Sequence, residues 1–212
     1  MASSLARVDH LVYAAPDLEA AVERFERLTG VAASAGGRHP GRGTRNAMLR
    51  LGPRRYLELI GPDRDQPPPG RPRWFGLDTL TEGLLISWAS GVTGDLRSAR
   101  ASALAAGAPV GPEIEGRRTR SDGVELSWVM TEPQGSGGVE VVPFLIDWGT
   151  TPHPADSATG GIDLISLRVE HPDRREVERW FGALGVPIAV GDAHTPAIVA
   201  LLSTPRGRLE LR

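Results

Sequence analysis

The last fifty or so residues of this chain repeat the first fifty, and a repeat of that size constrains the fold more than any local feature. Pro16-Asp17 recurs as Pro172-Asp173, and Val22-Glu23-Arg24-Phe25 as Val177-Glu178-Arg179-Trp180. Gly30-Val31 recurs as Gly185-Val186, and Pro53-Arg54 through Leu57-Glu58-Leu59 as Pro205-Arg206 through Leu209-Glu210-Leu211. In the first copy, Asp9 to Ala14 is an apolar run that reads as a strand. Leu18, Ala21, Val22, Phe25 and Leu28 then fall at helical spacing, and Gly30 stops that helix. Three strand-like pieces follow, the last being Tyr56-Leu57-Glu58-Leu59-Ile60. A weaker middle copy has Leu84 to Ala89 as its strand, Asp95 to Ala106 as its helix and Gly107 as its stop, and closes on Phe144-Leu145-Ile146. Strand, helix and three strands, taken three times, predict an α+β fold of three βαβββ units with helices near Leu18 to Thr29, Asp95 to Ala106 and Arg174 to Leu184. The units are expected at 5–62, 83–148 and 162–212, separated by a Pro-rich linker at 63–82 and a connector at 149–161.

A chain of 212 residues has ample length for a core. Its formal net charge of −2 offers no basic stripe for nucleic acid. Every cationic side chain is arginine, which reads as coding-sequence bias before anything functional. The absence of cysteine excludes disulfides, thiolate zinc sites and cysteine nucleophiles, and agrees with a cytoplasmic setting. Neither a signal-peptide pattern nor an apolar run long enough to cross a bilayer is present, so no membrane partner is expected.

Strand alternation decides which side chains are free for chemistry. If Leu11, Tyr13, Leu57 and Leu59 pack against the helix, His10 and Glu58 both leave the opposite face. Either residue alone also has a plain reading, as a bonded half-exposed imidazole and a solvated strand carboxylate. The glycine-rich stretch Ala35 to Asn46 reads equally as a site rim carrying His39 and Asn46 or as an ordinary hairpin connection. Gly41-Arg42-Gly43 lacks the third glycine and following helix of a dinucleotide fingerprint. Gln66 to Pro72 reads as a semi-rigid spacer, and Arg73-Trp74-Phe75-Gly76 as a docked aromatic segment. Asp122-Gly123 signals a hairpin turn, and Gly135-Ser136-Gly137 does not have the spacing of a nucleophile elbow. Trp88, Trp128 and Trp148 offer stacking surfaces, although tryptophans on sheets are more often core.

These pieces resemble the vicinal oxygen chelate superfamily, and more closely its glyoxalase-like domain family. The resemblance is carried by Asp9 to Tyr13 with Pro16-Asp17-Leu18, Gly37 to Gly41 with Asn46, Tyr56-Leu57-Glu58, Arg73 to Leu77, Pro143 to Trp148, His153-Pro154 and Thr204 to Leu211. It implies curved mixed sheets around a cleft, with a divalent ion held by the first and last strands and chelated by two adjacent substrate oxygens. Carried over residue by residue, it implies His10, Glu58 and Glu210 as metal ligands, while Ser166 stands where a second histidine is expected. The middle unit offers Ser87 at the histidine place, and either Glu140 or Phe144 at the glutamate place. One histidine with two glutamates suits Mg, Mn or Fe, with Ni and Zn as further alternatives, although His plus one Glu would hold zinc poorly. No ion at all is equally open, because Arg168 beside Ser166 would suit an anionic substrate and disfavour a cation.

The leading expectation is a small-molecule enzyme of lyase, isomerase or dioxygenase type, with Glu58 or Glu210 as proton acceptor where no metal claims it. Contacts to substrate are expected from His39, Asn46, Arg118, Trp128, Trp148 and Arg168. The alternative is a non-catalytic protein of the bleomycin-resistance type that sequesters a flat compound. Which two units share the cleft, and whether a second chain completes the pairing as a homodimer, stay open in the sequence.

Overall fold

The computed structural model describes residues 5–92, 94–120, 123–133 and 138–212. Its first unit runs β1 (Val8–Ala14), α1 (Leu18–Thr29), β2 (Ser34–His39), β3 (Thr44–Arg50) and β4 (Tyr56–Pro62). The second runs β5 (Leu84–Gly91), α2 (Leu96–Ala105), β6 (Glu113–Thr119), β7 (Glu125–Thr131) and β8 (Phe144–Asp147). The third runs β9 (Asp163–His171), α3 (Arg174–Leu184), β10 (Ala189–Asp192), β11 (Ala197–Thr204) and β12 (Gly207–Leu211). The expected Asp122-Gly123 turn and the Gly135-Ser136-Gly137 stretch fall on residues partly or wholly outside that description.

Each helix starts where an aspartate side chain satisfies orphan backbone donors. Asp17 accepts from Ala20, Asp95 from Arg97 and Ser98, and Asp173 from Glu176. Gly30 and Gly185 then close α1 and α3 in the left-handed conformation, at φ 76° and 63°. Phe25 of α1 is fully buried and meets Tyr13 of β1 edge-on at 4.8 Å, a contact worth about 0.5–1.5 kcal/mol beyond its burial.

The first two units form one eight-stranded sheet in the order β2-β3-β4-β1-β5-β8-β7-β6. β4 lies parallel to β1 and β8 parallel to β5, while β1 and β5 join the units antiparallel, with Leu11 opposite Trp88. The sheet curls until its edges meet: a Cβ on Gly37 of β2 would lie 2.9 Å from the Thr119 carbonyl of β6. Two cores result. Leu11, Tyr13, Leu57 and Leu59 face the helices on the convex side, and Val12, Ala14, Tyr56 and Ile60 face the interior of the curl. Units one and two therefore share the cleft.

The third unit keeps the order of elements along the chain but not their order in the sheet. Its strands run β10-β9-β11-β12, with β9 between a parallel β10 and an antiparallel β11. In the first unit the last strand returns to the first strand, and Glu58 pairs with Val12; here β12 pairs only with β11, and Glu210 sits opposite Leu201. The apolar face of this sheet and α3 join the convex core, where Phe181 meets Trp88 edge-on at 6.0 Å.

Candidate active site

The interior of the curled sheet holds a small cavity of about 30 Å³, bounded by His10, His39, Asn46, Glu58, Arg118 and a set of aromatic rings. That is room for about two water molecules. Trp74 and Phe75 close it from a short 3-10 turn (Trp74–Gly76), so the Pro-rich linker supplies part of the wall. Arg42 holds this turn, its guanidinium 4.3 Å above the Trp74 ring and ion-paired with Glu132 at 2.8 Å. Phe75 carries φ 60°, an uncommon conformation for a bulky side chain, fixed by its burial against Phe144.

Glu58 reaches the cavity from β4, where alternation turns it away from Leu57 and Leu59. Its Oε1 accepts a hydrogen bond from Asn46 Nδ2 and faces His39 Nε2 at 3.9 Å; its Oε2 faces His10 Nε2, also at 3.9 Å. Both gaps are too long for a direct hydrogen bond and long enough for one bridging atom.

A buried carboxylate that the sequence reading overlooked sets the orientation of His10. Asp9 accepts from His10 Nδ1 at 2.8 Å, from His153 Nε2 at 3.1 Å and from the Trp148 indole at 3.2 Å. An ionised carboxylate only accepts, so the His10 Nδ1 proton is committed to Asp9 and Nε2 is turned to the cavity. Burial pushes the Asp9 carboxyl up, but hydrogen bonds and charge from His10 and His153 outweigh it and hold it below the usual carboxylate range. The Tyr56 ring stacks on His10 at 4.5 Å, and burial, with Glu58 and Asp9 nearby, raises its hydroxyl well above the ordinary value. His39 is lowered to about 4 by burial, with Arg118 and Arg42 adding to the effect against Glu58, so it is neutral at pH 7.

Of the residues singled out from sequence, His10, His39, Asn46, Glu58, Arg118, Trp128 and Trp148 come together on this cavity. Trp88 belongs to the convex core, with its indole bonded to the Val141 carbonyl at 2.8 Å. Glu210 and Arg168 do not reach the cavity. They stand on the four-stranded sheet in an exposed ion-pair group with Glu170 and Arg212. The carry-over of Glu210 therefore needs correction: similarity to the Leu57-Glu58-Leu59 run does not extend to the strand pairing that would bring it beside a histidine.

A divalent ion fits the donors poorly. Matching Leu11 to Trp88 across the joining strands places Ser87 at the His10 position. Phe144, the partner of Ala89, then falls at the Glu58 position. The second unit thus turns an apolar ring where a second carboxylate would stand. His10 and His39 each face a different oxygen of Glu58, and the buried Arg118 adds positive charge. Among the described residues, no group of three or more His, Asp or Glu side chains is placed to hold one ion.

The glyoxalase-like domain matches residues 8–185. The chain belongs to this family. No curated protein matches it. Among solved structures, a hypothetical protein from Staphylococcus aureus is 14% identical over 91% of this chain and 90% of its own, with a TM-score of 0.66, and shares the fold. A methylmalonyl-CoA epimerase from Mycobacterium tuberculosis is 20% identical over 74% of this chain and 96% of its own, with a TM-score of 0.46. A Streptomyces coelicolor methylmalonyl-CoA epimerase variant in complex with 2-nitronate-propionyl-CoA is 23% identical over 68% and 96%, at 0.44. Among the described residues no helix is long and apolar enough to cross a membrane.

Proposed function

We propose that this glyoxalase-like protein is an enzyme that moves a proton on a small carbonyl compound, with Glu58 as the base. The observation that carries the reading is the placement of a buried carboxylate with an imidazole Nε2 at 3.9 Å from each of its oxygens. A substrate C–H reaching Glu58 from the cavity gives its proton to the carboxylate, and the electron pair moves onto the adjacent carbonyl oxygen as an enolate. His10, its other nitrogen committed to Asp9, is the second proton carrier, and the Tyr56 hydroxyl, which stays protonated, is a donor for the oxyanion. The closing turn at Trp74–Gly76 keeps water from the enolate. The chain's own side chains supply every step, without a metal ion.

A second reading has one observation in its favour. Tyr56, Trp74, Phe75, Trp128, Phe144 and Trp148 make the lining mostly aromatic, as in a protein that sequesters a flat compound. Incubating the protein with a panel of small carbonyl compounds in D2O, and following loss of α-proton signals by NMR, separates the two. Exchange above the heat-denatured control supports the enzyme; binding without exchange for every compound supports the sequestering protein.

A further inference from the structure

We propose that Arg118 is the anion-recognition residue of this cavity and that the molecule it takes is a small carboxylate. The inference rests on the reading of the cavity as the working site, and adds the substrate class.

Arg118 lies on β6, an edge strand, and its side chain crosses into the cavity wall with 2% of its surface exposed. A guanidinium carries five N–H donors in a planar fork. Here Nη1 donates to Asn46 Oδ1 at 3.3 Å and Nη2 to Met48 Sδ at 3.2 Å, a long bond to a neutral amide and a bond to a weak acceptor. Among the described residues no carboxylate lies within ion-pair distance of it. The carboxylate whose charge acts on it is Glu58, linked to it through Asn46: the amide oxygen accepts from Arg118 and the amide nitrogen donates to Glu58. A buried cation without a contacting counter-ion is costly, and an anionic ligand in the cavity would complete it.

Two further observations point the same way. The chain makes deliberate room for this side chain: a Cβ on Gly36 would sit 2.8 Å from Arg118 Nη1 and 1.9 Å from Asn46 Oδ1, so only glycine lets β2 pass over the pair. The Trp74 indole N–H, in the same lining, is buried and has no acceptor among the described residues. The cavity thus holds spare donors and, beyond Glu58, no spare anion. A carboxylate matches the guanidinium fork with two parallel hydrogen bonds. Anchored there, the ligand would present its neighbouring carbon toward Glu58.

The test is isothermal titration at constant ionic strength with acetate and pyruvate against their neutral counterparts, acetamide and pyruvamide. The expected result is carboxylate binding at least tenfold tighter than amide binding, with that preference lost in Arg118→Met and retained in Glu58→Gln. Equal binding of carboxylates and amides, no carboxylate binding by the wild type, or an Arg118→Met that binds as the wild type does would each overturn the proposal. If Arg118→Met does not fold, the carboxylate–amide comparison on the wild type decides alone. Failure of the two ideas is distinguishable: carboxylate binding without proton exchange rejects the enzyme reading only, and exchange on neutral carbonyl compounds without carboxylate preference rejects this one only.

Discussion

Asp9 and His10 are neighbours on one strand, and strict alternation would point them to opposite faces, yet His10 Nδ1 donates to Asp9 Oδ1 at 2.8 Å. The β1–β5 register explains how. Val8 pairs with Ser90 and His10 with Ala89, so Asp9 is the extra residue of a bulge and its side chain swings toward Trp148 and His153. The bulge converts two adjacent residues into one hydrogen-bonded unit at the cavity wall.

Asp9→Asn should therefore cost about 3 kcal/mol, because it leaves buried donors facing a neutral amide that cannot accept from all of them. For a chain of 212 residues that is a fall in melting midpoint of about 6–12 °C. The folded carboxyl is held below its unfolded value, so its contribution is present above about pH 4 and lost as pH falls toward the folded value. The difference in midpoint between wild type and Asp9→Asn should shrink on acidification below pH 4.

His39 predicts a second acid limb of the same sign, at higher pH. Its folded pKa of about 4 lies below the ordinary histidine value, so the unfolded chain binds the extra proton between about pH 6.5 and 4. Stability should fall by about 3 kcal/mol as pH drops through that window, and be unchanged above it. Urea unfolding of His39→Gln should lack this part of the slope.

Glu210→Gln should leave stability within about 0.5 kcal/mol of wild type, since its partners Arg168 and Arg212 are surface groups. Saturating Mn²⁺ or Zn²⁺ should move the wild-type midpoint by less than about 1 °C, against the several degrees expected for an ion bound to the folded state alone. A large shift that His10→Ala removes would show that the donors rearrange around a metal.

Gly36→Ala should destabilise by about 1–3 kcal/mol, because the new methyl must displace Asn46 or Arg118. Gly70→Ala is the control: its added Cβ meets nothing within 4 Å. Equal midpoints for the two variants would contradict the close passage of β2 over Arg118.

Much of this is legible in the sequence. The period-two pattern placed His10 and Glu58 on the inner face, and the glycine stops gave α1 and α3 their C-terminal ends. Three things are not. The third unit repeats the residues of the first but pairs its strands differently, because sequence similarity records which side chains face the core and not which strand lies next to which. Asp9 was hidden by the bulge, which has no signature in the Asp9-His10 dipeptide. Arg73-Trp74-Phe75-Gly76 read as a docked aromatic segment, but nothing in that stretch said that its two rings would close this cavity.

The account turns on Glu58, and the most direct measurement is α-proton exchange in D2O by wild type and Glu58→Gln on a compound both of them bind. Glutamine keeps the shape and an acceptor for Asn46 but cannot take up a proton. Exchange reduced at least a hundredfold, with binding retained, is the predicted result, in keeping with the roughly 10²–10⁴-fold contribution of a general base. Exchange by Glu58→Gln at the wild-type rate would contradict it.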